Sequence, residues 1–276
     1  MAAPPSGPST TTSAVFSIVT VTRNAAADLE RTLASIREQR GVSPDVVVVD
    51  GGSTDGTAAV LDRYRELGWT ILSEADAGVY DGMNKGVRLA RGEWVNFMNA
   101  GDVFAGPDVL RELAAALAGP PAEGADYVYG DVISDYGGGE RRLTRAKPLR
   151  TFWKNKPFNH QALFARRRWL RRFPFDLQYR IVADYDQALR AFRAGAKFVH
   201  LPLVIAVTDM QRGLSKRSLW YNYREKARVN LRYADRPLRV RLYLVANGLL
   251  FALLITLRRL GLFHWAARAK QQLHRR

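Results

Sequence analysis

Between Val15 and about Leu201, short β-rich runs alternate with amphipathic stretches. "VFSIVTV" (15–21) reads as a strand, and "DLERTLASIREQ" (28–39) sets Leu29, Leu33 and Ile36 on one face of a helix. "DVVVVD" (45–50) is a valine run without polar alternation, the pattern of a parallel strand covered on both faces. The order continues as a helix at 56–67, a strand in "WTILSE", a helix-like segment at 78–90 and a strand in "EWVNFMN". A helix follows at 107–119, opened by Pro107 and closed by Gly119, and then a strand in "ADYVYGDV". Alternation of this kind predicts an α/β fold with a mainly parallel central sheet.

In such sheets ligands bind beyond the carboxyl ends of the strands, which sorts the acids by position. Asp50 closes the valine strand, Asp102 follows "WVNFMNAG", Asp131 follows "YVYG", and Asp76 precedes the 78–90 helix. A lone acid after a strand is usually a cap or turn residue, but four in equivalent places suggest one shared crevice. "DGGSTDGT" (50–57) adds two glycines for close backbone approach and three capping side chains. It lacks the glycine spacing of a dinucleotide fingerprint or a P-loop.

Composition changes the picture mainly at the ends. The chain has 276 residues, 47% of them hydrophobic, and no cysteine, so disulfides and thiolate metal sites are excluded. Residues 1–14, rich in Ala, Pro, Ser and Thr, carry neither the bases nor the apolar run of a secretory signal. We expect a disordered lead-in and a cytoplasmic protein. Net charge is +16, of which residues 216–276 hold +13, with fifteen Lys/Arg against only Glu225 and Asp235. The same region contains "LYLVANGLLFALLITL" (242–257), marginal for a bilayer span of roughly 20 residues, between arginine pairs at 239/241 and 258/259. We therefore expect a helical basic and apolar tail over 216–276, peripheral at the cytoplasmic face of an anionic membrane. A helix packed on the body or in a homo-oligomer interface is the alternative.

Five stretches, "FSIVTVTRN", "VVVVDGGSTDGT", "SEADAGVYDGMNKGV", "GEWVNFMNAGD" and "ADYDQALR", occur in that order. Together they resemble the inverting family 2 glycosyltransferases of GT-A fold, especially bacterial enzymes of colanic-acid and exopolysaccharide type. The likeness covers residues 15–215. It implies a nucleotide-diphosphate sugar donor, commonly a UDP-sugar, and a lipid-linked or glycan acceptor in cell-surface polysaccharide biosynthesis. On that resemblance Asp50 contacts the nucleotide base, with Thr20, Thr22, Arg23, Asp76, Asn84 and Lys85 around the nucleotide. The family's Asp-x-Asp type motif, which holds Mg2+ or Mn2+ against the diphosphate, is thinned here to "NAGD", leaving Asp102 as the metal contact. Asp184 matches the base that takes the acceptor proton. Asn99, Asp131, His160 and Gln161 are expected to line the donor and acceptor pocket, and Arg212, Ser215 and Lys216 of "QRGLSKR" to meet phosphate oxygens.

Three other readings compete, one of them a glycosyltransferase-like protein that has lost activity with its thinned "NAGD" motif. A sugar nucleotidyltransferase would need a Gly- and Arg-rich loop after the first strand, where this chain has "TRNAAADLE". A non-enzymatic nucleic-acid binder would use the positive charge with interleaved aromatics, and "WYNYREKARVNLRY" (220–233) comes nearest to that. Its spacing is also that of an amphipathic helix, and no nucleic-acid partner is expected.

Overall fold

The computed structural model describes residues 15–210, 219–234 and 236–259. These fall into two compact units that divide after Asn222.

The first unit opens with three βα repeats. Strand β1 (Phe16–Thr22) leads to α1 (Ala26–Arg37), β2 (Asp45–Asp50) to α2 (Thr57–Arg65), and β3 (Thr70–Ser73) to α3 (Val79–Leu89). Strand β4 (Trp94–Phe97), the two-residue β5 (Val103–Phe104) and helix α4 (Val109–Ala118) follow. The remainder comprises β6 (Tyr127–Asp135), β7 (Arg141–Thr144), β8 (Leu163–Arg166), α5 (Arg167–Arg172), α6 (Ala183–Arg193) and β9 (Phe198–Asp209). One mixed sheet runs in the order β3-β2-β1-β4-β8-β6-β9-β5, with β7 paired to β6. Strands β3, β2, β1 and β4 are parallel, as the alternating pattern predicts. Beyond β4 the pairing changes: β8 runs antiparallel to both β4 and β6, while β6 and β9 are parallel.

Local sequence explains the regular half. All six residues of β2 are buried, so the valine run is covered on both faces. Helix α1 buries the predicted stripe of Leu29, Leu33 and Ile36, each contributing roughly 1.5–3 kcal/mol relative to exposure. Helix α3 lies tight on β1 because residue 86 is glycine: a Cβ there would stand 2.3 Å from Val19 Cγ1. That close approach fixes where the start of α3 meets the strand ends, which positions the site.

The second unit holds α7 (Leu219–Arg232, whose first residues precede the division) and α8 (Pro237–Arg259). Both helices lie where a helical tail is expected. Among the described residues no helix is long and apolar enough to cross a membrane.

Candidate active site

Two groups of side chains gather at the carboxyl ends of the parallel strands. The first lies on β1, β2 and the loop before α3. Asp50 ends β2 opposite Thr22 of β1. Its buried carboxylate accepts from the Ser53 amide (3.1 Å) and hydroxyl and from the Ser73 hydroxyl (2.6 Å). The β1–α1 and β2–α2 loops are laced together: the Asn24 amide donates to Ser53 Oγ (2.8 Å) and the Thr54 amide donates to Asn24 Oδ1 (2.8 Å). Asn24 takes a positive φ of 49° to do this, a conformation its short amide tolerates better than most side chains.

Asp76 folds back over this loop. Its Oδ1 accepts from the Gly78 amide (3.0 Å), and its Oδ2 lies only 2.4 Å from where a Cβ on Gly51 would be. The same oxygen is 3.3 Å from a Cβ position on Gly82 of α3, so two glycines make the room this carboxylate occupies. Lys85 ties the loop down, donating to the Ala75 carbonyl (2.8 Å) and pairing with Glu74 (2.7 Å). Thr20 Oγ1 and Thr22 Oγ1 are buried with no hydrogen-bond partner. Such orphaned hydroxyls each cost about 1–3 kcal/mol. Arg23 is exposed at the rim.

The second group starts at the "NAGD" turn after β4. Gly101 takes φ 107°, and the Thr32 hydroxyl of α1 accepts from its amide (3.0 Å) while donating to the Asp102 carbonyl (2.7 Å). The turn thus offers the Asp102 carboxylate to Gln161, whose Nε2 donates to it at 2.8 Å. Burial, reinforced by the nearby Asp209 carboxylate, pushes Asp102 up to about 6. Asn99, three residues earlier, donates from Nδ2 to His160 Nε2 (3.3 Å). That bond leaves the imidazole proton on Nδ1, which faces Asp184 Oδ2 at 3.5 Å. Burial and the Lys156 ammonium hold His160 down to about 4, so the ring is neutral at ordinary pH.

Asp184 is the hub of this group. It sits in the first turn of α6, where its Oδ1 accepts from the Tyr185 amide (2.8 Å). Burial opposes its ionisation, yet the Lys156 ammonium, with His160 and the Tyr185 amide, keeps the carboxyl below its ordinary range. Tyr80 of α3 approaches Asp184 Oδ1 at 3.4 Å but donates its proton to the Ile181 carbonyl (2.6 Å). A narrow cavity of about 20 Å³, room for roughly one water, opens beside this cluster between Lys156, His160, Asp184 and apolar residues such as Phe97 and Phe175. Asp186, two residues on, points away and pairs with Arg190 (2.7 Å).

Helix α3 joins the two groups, carrying Gly82 under Asp76 and Tyr80 beside Asp184. Asp50 and Asp76 therefore share one edge, and Asn99, Asp102, His160, Gln161 and Asp184 share the next. Three of the expected site residues have partners of their own within the fold. Asp131 joins neither edge: it lies at a break in the β6–β9 register, where its Oδ1 meets His200 Nε2 (3.0 Å) and the Ala146 amide (2.9 Å). Asn84 grips the Phe175 backbone from both sides, its amide donating to the carbonyl and its carbonyl accepting from the N–H, each at 2.9 Å. Lys85 is engaged by its own loop, as above. Both side chains are thus engaged by protein partners, Asn84 with the Phe175 backbone and Lys85 with the Ala75 carbonyl and Glu74. Arg212, Ser215 and Lys216 lie outside the described residues. Sequence reasoning misses two residues of this cluster: Lys156, which stands in no motif, and Tyr80, which lies within "SEADAGVYDGMNKGV" but carries no signal of its own.

A hard cation is tested by the donor set. Among the described residues no cluster of three or more His, Cys, Asp or Glu could hold a metal ion. Asp102 and the neighbouring Asp209 nevertheless supply carboxylate oxygens, and their mutual repulsion is the strain a cation would relieve. Two carboxylates are fewer oxygens than a hard cation takes, so a divalent ion here would need ligand oxygens to complete its shell.

The parallel β3-β2-β1-β4 half, the mixed half beyond it and acids gathered at the strand ends define a GT-A fold of the glycosyltransferase class. Solved structures share that fold at low identity. The mannosyltransferase PcManGT from Pyrobaculum calidifontis, in complex with GDP-Man and Mn2+, superposes with a TM-score of 0.63 at 21% identity, over 97% of this chain and 82% of that one. S. aureus TarS 1–349 with UDP-GlcNAc gives 0.63 at 19%, over 82% and 69%. In the longer TarS chain the match spans 41% of its length.

The model of the family "Glycosyl transferase family 2" matches residues 17–176, and the chain belongs to that family. A PGL/p-HBAD biosynthesis glycosyltransferase of Mycobacterium bovis (strain BCG / Pasteur 1173P2) is 36% identical over 208 residues, 73% of this chain and 79% of the relative. An uncharacterized glycosyltransferase of Mycobacterium tuberculosis (strain ATCC 25618 / H37Rv) is 34% identical over 193 residues, 66% and 70% of the two chains. The protein is a glycosyltransferase, and the nucleotidyltransferase and nucleic-acid readings give way to that assignment.

Proposed function

We propose that the chain moves a sugar from a UDP-sugar to a hydroxyl of a lipid-linked or glycan acceptor, with inversion at the anomeric carbon. The observation that carries this reading is the buried chain Asn99–His160–Asp184–Lys156, one residue from the Gln161–Asp102 contact. It sets one ionised carboxylate beside the acid that would face a diphosphate, with the Asp50–Asp76 edge adjacent across α3.

In this reading Asp76, with Thr22 and the Asp50–Gly51–Gly52 turn, takes the nucleotide. Asp50 acts through the loop it holds as well as by its own oxygens. Asp102, with Asp209 beside it, would hold Mg2+ or Mn2+, which when bound supplies charge neutralisation for the leaving diphosphate. Asp184 accepts the proton of the incoming hydroxyl as the new glycosidic bond forms, and the Lys156 ammonium keeps it ready as a carboxylate. His160 is neutral and, held by Asn99, orients the base. The mycobacterial relatives named for PGL/p-HBAD biosynthesis support a biosynthetic direction of transfer.

The test is a donor series with Mg2+ or Mn2+ and membrane-extract acceptors, measuring released nucleotide diphosphate and the product's anomeric configuration by NMR. The reading expects UDP release and a product of opposite configuration to the donor. Retention of configuration, or turnover confined to GDP- or dTDP-sugars, would overturn the corresponding part.

A further inference from the structure

Within the second unit, α7 and α8 form a helical hairpin. The Tyr223 hydroxyl of α7 donates to the Leu244 carbonyl of α8, and it lies 3.2 Å from where a Cβ on Gly248 would stand. Those contacts define the side of α8 turned toward α7. On another side, Leu238, Leu242, Val245 and Leu249 are 70%, 63%, 61% and 68% exposed. Their spacing of four, three and four residues stacks them in one stripe at about 100° per residue. By the same geometry Arg239 and Arg241 fall on opposite flanks of the stripe, and both are exposed. From Pro237 to Arg259 the helix contains no acid, and Arg258 and Arg259 stand at its far end.

We propose that α8 lies flat on an anionic lipid surface, with Leu238, Leu242, Val245 and Leu249 buried at the headgroup boundary and Arg239 and Arg241 against lipid phosphates. The helix does not qualify as a span. Arginines on both flanks of an apolar stripe suit a helix parallel to the bilayer, since the long side chains reach the headgroups while the aliphatic ones enter. A second copy of the chain fits less well. Pairing two such stripes would bring the flanking arginines of each helix against those of the other, with no acid on either helix to answer them. An anionic bilayer attracts basic residues near its surface, at about fivefold in affinity for each. The net charge of +13 over residues 216–276 acts in the same direction. This inference stands independently of the sugar-transfer reading, because it uses no residue of that site.

The test is co-sedimentation of the full chain with vesicles of phosphatidylcholine alone or mixed with phosphatidylglycerol. The account expects binding to the mixed vesicles that weakens with salt, and little binding to phosphatidylcholine. The double variant Leu242→Glu/Val245→Glu should lose at least tenfold in apparent affinity. Arg239→Glu/Arg241→Glu should lose a similar factor on mixed vesicles only. Circular dichroism monitors helicity, and Leu242→Ser/Val245→Ser serves if the glutamate variant unfolds. Equal binding to both vesicle types, or wild-type binding by folded variants, overturns the proposal. So does a lipid-free dimer in analytical ultracentrifugation that Leu242→Glu/Val245→Glu converts to monomer, because the stripe is then a subunit interface.

Discussion

The two edges of the candidate active site are built differently. The edge on β1, β2 and the Asp76 loop is made of backbone: glycines 51 and 82 clear the space, and nearby hydroxyls and amides hold each carboxylate. The edge around Asp184 is made of charge, with Lys156, His160 and Gln161 arriving from one irregular stretch to meet residues of β4, α3 and α6. A backbone-built edge suits recognition of a constant group such as a nucleotide. A charge-built edge can set the ionisation of a base, at the expense of depending on several distant segments at once.

Substitutions should therefore fail in different ways at the two edges. The largest effect is expected for Asp184→Asn, which removes the proposed proton acceptor and should lower kcat by roughly 10²–10⁴-fold with the fold intact. Lys156→Gln comes next. Without the ammonium, burial dominates and the Asp184 pKa rises. The acid limb of kcat/KM should then move to higher pH, while Lys156→Arg should restore it. A purely structural Lys156 would lower activity without moving that limb.

Gly51→Ala places a methyl 2.4 Å from Asp76 Oδ2. Displacing the carboxylate costs about 1–3 kcal/mol, which should appear as a five- to hundredfold rise in donor KM with an unmoved pH profile. Asp102 adds a pH effect of its own. Because burial and Asp209 hold it near 6, the folded chain takes up a proton there as pH falls from about 6 toward 4. This carboxyl therefore favours the folded state at low pH, and that contribution is lost as pH rises through 6. Function follows the opposite sign: activity should decline below about pH 6, and excess Mg2+ should push the decline lower by competing with the proton. The smallest effect is expected for Asn84→Ala, which leaves the Phe175 amide and carbonyl unanswered. It should cost about 1–3 kcal/mol of stability, read as a Tm lower by several degrees, with little change in the pH profile.

The same contrast explains what the sequence reveals. The Asp50–Asp76 edge is legible because its parts are contiguous or periodic: the valine run, "DGGSTDGT" and the stripe of Leu29, Leu33 and Ile36 report their own burial and turns. The change to antiparallel pairing at β8 is not, because a four-residue strand says nothing about the direction of its neighbours. Asp184 and Asp102 stand in recognisable motifs. Lys156 is 28 residues from its partner, in a stretch without period, and only tertiary packing brings the two together. Asp131 shows the converse: its place after a strand suggests the crevice, but an irregularity in the β6–β9 ladder hands it to His200 instead.

The separation of recognition from chemistry is tested most directly by calorimetric titration of a UDP-sugar, with Mg2+, into Asp76→Ala and Asp184→Asn beside the unmodified chain. The account predicts that Asp184→Asn binds the donor within a few-fold of the unmodified chain although it no longer transfers the sugar, and that Asp76→Ala loses at least tenfold in affinity. Equal loss of donor affinity in both variants, or full affinity in Asp76→Ala, would contradict it.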